Sequence, residues 1–135
     1  MTDSSTEVSE EMREHALACV EMIQDFGHEL DFSEGTIGAV DALLNAFWKE
    51  SDEDERTNLA VLFGGYVGEL ICARFPNASW KEPDETRPFP YISLGEIQVF
   101  PVVWCYKQVC NGPQDSLIEK YMKFRDQAIA NGEDS

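Results

Sequence analysis

The chain has 135 residues and is strongly acidic, because 26 aspartates and glutamates outnumber 10 lysines and arginines and give a formal net charge of −16. This charge repels nucleic acids and anionic membrane surfaces, so neither is an expected partner, whereas a basic protein would be attracted. The length fits one domain, and no apolar run reaches the roughly 18 to 20 residues that a membrane-spanning helix needs.

The two ends of the chain differ from its middle in composition. Residues 1–8 are short and polar without apolar periodicity, and residues 131–135 are polar as well. Both are expected to be disordered tails around a single globular domain at 9–130. The acidic N-terminal segment is the opposite of a secretory signal peptide, so the sequence predicts a cytoplasmic protein.

Apolar residues recur at three- and four-residue spacing in the first third of the chain. This pattern predicts one helix from about Ser9 to Phe26, ended by Gly27. After a short extended piece, Ser33 is a favourable N-cap for a second helix that runs to about Glu50.

A third helix is predicted to follow the acidic segment at 51–56, and it is apolar on nearly every side from Leu59 to Phe75. A helix without a polar face is surrounded by protein. Gly64 and Gly68 lie four residues apart in it, so another element is expected to approach its backbone closely there. Glu69 is the one acid inside this apolar run, and burial is therefore expected for its carboxylate.

The hydrophobic period then changes from 3.6 to 2. Strands are predicted at 78–82, 91–94 and 97–100, and Gly95 with Glu96 gives the last two the signature of a type II′ hairpin. Pro101 is expected to open a fourth helix. Ser116 and Glu119 have the spacing of a capping box at the start of a fifth.

The predicted order is therefore three helices, three strands and two helices. Helices and strands that are segregated along the chain are typical of the α+β class. We expect about five helices packed on a small three-stranded antiparallel sheet.

Glu69 is the leading candidate for chemistry. Burial would raise its pKa, so that it could act as a general acid or base or hold a cation. The favoured alternative is a structural carboxylate, satisfied by the indole N–H of Trp80, by Tyr66, Tyr91 or Lys107, or by a backbone amide. Trp80, Tyr91 and Lys107 are also the candidates for a surface that faces a ligand.

No other pattern names a reaction. The four cysteines have no zinc-type spacing and are expected to be reduced, buried thiols. His15 and Cys19 share a helix face, but two ligands do not make a metal site. Because phosphate-binding loops, dinucleotide fingerprints and catalytic-serine motifs are missing from the sequence, we assign no catalytic residue, cofactor or metal, and favour a protein that is not an enzyme.

Several short motifs occur in a characteristic order: GGYVGE at 64–69, Trp80, PYISLG at 90–95, VFP at 99–101 and NGPQDSL at 111–117. In this order the chain resembles a family of uncharacterised bacterial cytoplasmic proteins, a domain of unknown function. The resemblance covers about half of the chain. It implies a small bacterial domain and singles out Glu69 and Trp80, but it supplies no activity.

Three functions remain open. The favoured one is a small acidic protein-binding module, either an adaptor or an immunity-type inhibitor of a basic partner, that uses the acidic run Asp52, Glu53, Asp54 and Glu55. The second is a small-molecule-binding protein or small enzyme that uses Glu69 with Trp80 and Tyr91. The third is a self-associating structural subunit. The acids also have a simpler explanation, since a high net charge keeps proteins dispersed.

Overall fold

The structure, a computed structural model, describes residues 4–133 and, among these, the side chains of residues 7–133. It has the predicted α+β fold, with five helices and a three-stranded antiparallel sheet. The elements are α1 (Ser4–Asp25), α2 (Ile37–Glu50), α3 (Glu53–Arg74), β1 (Ser79–Lys81), β2 (Tyr91–Leu94), β3 (Ile97–Val99), α4 (Pro101–Asn111) and α5 (Leu117–Ala130). Single 3-10 turns at Glu34–Thr36 and Gly112–Asp115 precede α2 and α5.

The first helix begins earlier than predicted. It starts at Ser4, and Val8 is buried one turn ahead of Met12, so the apolar stripe includes a position that the composition assigns to a disordered tail. At the other end, residues 131–133 form an ordered turn, because the amides of Gly132 and Glu133 donate to the carbonyls of residues 129 and 128. The remaining residues of the two predicted tails, 1–3 and 134–135, lie outside the described residues.

The second helix also starts differently. Ser33 does not cap it, because the hydroxyl of Ser33 donates to the Asp31 carboxylate at 2.6 Å and the 3-10 turn intervenes before Ile37. Short polar side chains often bond their own neighbours in this way in preference to a helix end.

The third helix is the centre of the molecule, as its composition predicts. It packs between α1 and α4, and its glycines Gly64, Gly65 and Gly68 are all buried. A Cβ added to Gly64 would lie 2.6 Å from the Cα of Val102 on α4. The predicted close approach at this helix is therefore confirmed.

The sheet has the strand order β1-β2-β3 with antiparallel neighbours. Trp80 pairs with Ile92, which pairs with Val99, and all three side chains are buried on one face. At the hairpin only Gly95 has a positive φ, of 60°, and its neighbour Glu96 does not, which is the type II′ pattern. The strand predicted at 97–100 ends at 99, because residue 100 is already the N-cap of α4.

The fifth helix is not capped by the predicted Ser116–Glu119 box. Ser116 makes no capping hydrogen bond, and its hydroxyl donates to Asp41 of α2 instead. The first amide of α5, that of Leu117, donates to the fully buried side chain of Gln108 on α4 at 2.8 Å. The start of α5 is thus satisfied by side chains of two other helices, a tertiary arrangement that local sequence cannot encode.

Candidate functional site

Glu69 lies on α3 but is half-buried, so the expectation of a buried acid is wrong. One turn further along α3, Ala73 is small and exposed, so this part of the helix surface is open beside Glu69. Its Oε2 accepts a hydrogen bond from Nε1 of Trp80 at 3.1 Å. Of the partners considered for Glu69, the structure selects Trp80, and no other described residue donates to the Glu69 carboxylate.

The exposed side of Glu69 opens into a cleft with a volume of about 240 Å³, which we call the Glu69 cleft. It lies between α1, α3 and the connection from α1 to α2. Its lining residues are Arg13, Leu17, Phe32, Glu69 and Ala73. The cleft therefore combines one acid and one base with an apolar surface, in which Leu17 is 48% exposed.

Phe32 forms a rigid wall of this cleft. Its φ is +66°, a left-handed backbone conformation that residues other than glycine rarely adopt. The amide of Phe32 donates to the hydroxyl of buried Tyr66 at 2.8 Å, and the two rings stack with centroids 4.7 Å apart. The Tyr66 hydroxyl also bonds Thr36, and burial raises the pKa of Tyr66. Strained backbone conformations that are held in place by several contacts are common at functional sites.

The other candidate ligand-facing residues do not gather around Glu69. Trp80 is 1% exposed, and its indole is packed against Gly68, so it supports Glu69 from within and does not face a ligand. Tyr91 is half-buried beneath the guanidinium of Arg87, 5.0 Å from the ring centroid. Lys107 is exposed on α4 and lies outside the lining of the cleft.

The acidic run is exposed at the start of α3. Asp52 is the N-cap of this helix, and its carboxylate accepts from the amide of Glu55 at 2.9 Å. Glu53 and Asp54 complete a first turn that is entirely acidic, which complements the positive end of the helix dipole. One part of this run is therefore structural, and the remaining carboxylates face solvent.

A second acidic surface lies outside the acidic run at 52–55 that the sequence singled out. The face of α1 opposite its buried stripe carries six exposed carboxylates, which we call the acidic stripe: Glu7, Glu10, Glu11, Glu14, Glu21 and Asp25. Glutamates at seven-residue intervals were the available signal, because such positions share one helix face. Arg13 is the one arginine or lysine of the described part of α1, and it lies beside the stripe at the Glu69 cleft.

A smaller cleft of about 150 Å³ lies between α2 and α5. Its polar residues are already paired, because Tyr121 donates to Glu34 at 2.5 Å and Glu34 also faces the guanidinium of Arg74 at 3.6 Å. Burial raises the pKa of Tyr121, and the bond to Glu34 raises it further. This cluster ties the start of α2 to α3 and α5.

The described residues contain no group of three or more histidine, cysteine, aspartate or glutamate side chains that could hold a metal ion. Cys19, Cys72, Cys105 and Cys110 are free thiols. Burial raises the pKa of the Cys19 and Cys72 thiols to about 12, which makes both weak nucleophiles.

Within residues 4–133, no helix combines the length and the apolar character required to cross a membrane. No protein-family model, no curated protein and no solved structure matches the chain. The resemblance to the uncharacterised bacterial family therefore stays a prediction that rests on its motifs.

Proposed function

We propose that the chain is an acidic protein-binding module that docks onto a basic partner in the bacterial cytoplasm. The observation that carries the proposal is the acidic stripe, six exposed carboxylates on the face of α1 directly opposite the core. The exposed acids at 52–55 add further negative charge to the surface of the chain. A partner held in this way is either brought to a third component or blocked, so the module would be an adaptor or an immunity-type inhibitor.

The stripe has an energetic cost that supports this proposal. Glu10 and Glu14, and likewise Glu21 and Asp25, are like charges four residues apart, and each such pair destabilises a helix by about 0.2–0.5 kcal/mol. A dispersing charge can be placed anywhere on a surface, but these six acids share one helix face. A cationic partner would relieve this repulsion.

Electrostatic attraction of this kind acts mainly on the rate of encounter and is weakened by salt. The proposal therefore predicts a complex that forms fast at low ionic strength and whose formation slows steeply as salt is added.

The test is affinity capture from the source cells with three chains. The first is the native chain, and the second has the acidic stripe neutralised, with glutamine or asparagine at its six positions. The third is a matched control with six other exposed acids neutralised: Glu29, Glu50, Glu82, Glu85, Glu96 and Glu119. We expect a basic protein to be retained at low salt by the native and control chains, and to be lost by the stripe variant and at high salt. Identical capture by all three chains, or no capture, would contradict the proposal.

A second candidate function is supported by the open Glu69 cleft. A small-molecule binder needs a concave site that a polar group can reach, and the Glu69 carboxylate does line such a cleft. Because Trp80 is buried and Tyr91 lies elsewhere, the ligand would contact Phe32 and Leu17 instead. A metabolite screen by thermal shift, with Glu69→Gln as the control, tests this: a stabilising compound that the variant no longer binds supports it, and no such compound argues against it.

A further inference from the structure

We infer that the Glu69 cleft anchors one lysine side chain of the basic partner. The inference rests on the proposed protein-binding function and adds to it a specific pocket and a specific residue type. It is carried by the geometry of Glu69, by the apolar walls of the cleft and by the position of the cleft next to the acidic stripe.

The carboxylate of Glu69 can accept a hydrogen bond from one charged donor of a ligand. Its Oε2 is held by the buried indole of Trp80, and no other described residue donates to Oε1. A guanidinium pairs best with both oxygens of a carboxylate at once, whereas an ammonium acts as a compact point charge. A guanidinium that paired with both oxygens would have to share Oε2 with the indole N–H, whereas an ammonium needs only Oε1, so the site favours lysine over arginine.

The walls of the cleft fit the rest of a lysine side chain. Leu17 and the ring of Phe32 present apolar surface beside Glu69, and the four methylene groups of lysine bury well against such surface. An ammonium near an aromatic face gains a further cation–π attraction. Because Phe32 is fixed by its bond to Tyr66, this wall needs no ordering when the ligand binds.

The surroundings of the cleft attract and orient the same ligand. Leu17 lies three residues after Glu14 and four before Glu21, so the mouth of the cleft adjoins the acidic stripe. Arg13 at the rim would repel an ammonium, but its guanidinium is a donor that suits the backbone carbonyl of the entering residue. The stripe would thus steer the partner, and the cleft would hold one of its side chains as a buried anchor.

The experiment titrates the protein with lysine that is acetylated at its amino end and methylamidated at its carboxyl end. The equally blocked norleucine and arginine serve as matched probes. The readout is the indole N–H resonance of Trp80, because this group is bonded directly to Glu69. We expect a saturable shift with a dissociation constant of the order of millimolar for blocked lysine, and none for norleucine.

Variants assign the effect to the cleft. Glu69→Gln keeps an acceptor for Trp80 but removes the charge, so we expect it to weaken lysine binding about tenfold or more. Glu82→Gln removes an exposed acid outside the lining of the cleft and should leave binding unchanged. Equal shifts with norleucine, equal or tighter binding of arginine, binding unaffected by Glu69→Gln, or no shift at all would each overturn the inference.

The outcome is separable from that of the proposed function. The partner could be captured through the acidic stripe while Glu69→Gln neither weakens its capture nor alters lysine binding. The proposed protein-binding function would then be kept, and the lysine site at Glu69 would be rejected. If lysine binds the cleft but neutralisation of the acidic stripe leaves capture unchanged, the stripe is rejected as the binding surface and the lysine site at Glu69 is kept.

Discussion

The indole ring of Trp80 fills the space beside α3 that a side chain at position 68 would need, so that a Cβ on Gly68 would overlap the ring. This contact joins β1 to the central helix. The same indole donates its N–H to Glu69, the next residue along α3. The orientation of the candidate site residue therefore depends on the absence of a side chain at its neighbour.

Replacement of Gly68 by alanine should accordingly displace Trp80. We expect the free energy of unfolding to fall by about 1–3 kcal/mol, the usual effect of overpacking a core, although alanine is the better helix former. Urea denaturation measures this loss, and the indole resonance of Trp80 should shift in the native state.

Gly38→Ala is the matched control, since the space around Gly38 is open and the residue lies in the first turn of α2. It should leave the protein as stable as before, or more stable by up to about 1 kcal/mol. If both substitutions had the same effect on unfolding, the close contact between Gly68 and Trp80 would be refuted.

Glu69 should contribute to stability through the acceptor it provides. Glu69→Ala leaves the buried indole N–H of Trp80 without a partner and should cost about 1–3 kcal/mol, whereas Glu69→Gln retains an acceptor and should cost less. Thermal melting of the three proteins checks the order. Negligible losses for both variants would show that the bond to Trp80 is unimportant to the fold.

The sequence alone predicted the fold class, the enclosure of α3 and the close approach at Gly64 and Gly68, because these depend on local periodicity and on side-chain size. It also placed Trp80 among the ligand-facing candidates, whereas the structure buries this residue behind Glu69. Apolar composition does not distinguish a residue that supports a site from one that lines it.

Two features that the sequence did not predict have one physical origin. The cap of α5 is formed by Gln108 and Asp41 from other helices, and the left-handed Phe32 is held by Tyr66, which is 34 residues away. Both are long-range contacts whose partners have no fixed sequence spacing. The acidic stripe, by contrast, was predictable, since the seven-residue spacing of its glutamates is local.

The polar network at the start of α5 should contribute strongly to the stability of the whole protein. Gln108 is fully buried and accepts from the amide of Leu117 while donating to Asp41 and Asn45. Gln108→Leu preserves most of the volume but removes the partner of the Leu117 amide and of the Asn45 side chain, so we expect a loss of about 2–3 kcal/mol. Hydrogen exchange of the Leu117 amide should accelerate as well.

Gln127→Leu is the comparison for this substitution, because Gln127 is an exposed glutamine on α5. Its effect on unfolding should stay within about 0.5 kcal/mol. Similar losses for the two leucine variants would mean that the network at Gln108 adds little to what an exposed glutamine contributes.

The buried thiol of Cys72 should react slowly with alkylating reagents, because its raised pKa keeps it protonated. Burial, and secondarily the charge of Glu69, raises the pKa of Cys72 to about 12. At pH 9 its thiolate fraction is then smaller by a factor of the order of several hundred than that of an ordinary cysteine, and alkylation should be correspondingly slow. Glu69→Gln removes the nearby negative charge, which lowers the pKa, so Cys72 should react faster in this variant at the same pH.

Cys19 supplies the internal reference, because burial alone raises its pKa to about 12. Its alkylation, followed by mass spectrometry of digested protein, should not change in Glu69→Gln. An equal acceleration at both cysteines would indicate a general loosening of the fold instead of a local charge effect on Cys72.

The acidic stripe should lower the stability of the isolated protein. Glu14 forms like-charge pairs with Glu10 and Glu11, and Glu21 forms one with Asp25. The double substitution of Glu14 and Glu21 by glutamine should therefore raise the free energy of unfolding by about 0.5–1 kcal/mol at low ionic strength. At about 1 M salt the Debye length is near 3 Å, so the gain should largely disappear.

Urea denaturation at the two salt concentrations measures this difference, with Glu82→Gln and Glu85→Gln as the control pair. These acids are exposed in the loop before β2 and lack helical like-charge neighbours, so their removal should have little effect at either salt concentration. A stripe variant that is no more stable than the native chain at low salt would show that the six carboxylates do not repel one another appreciably. The energetic argument for a cationic partner would then be lost, even if the surface remains acidic.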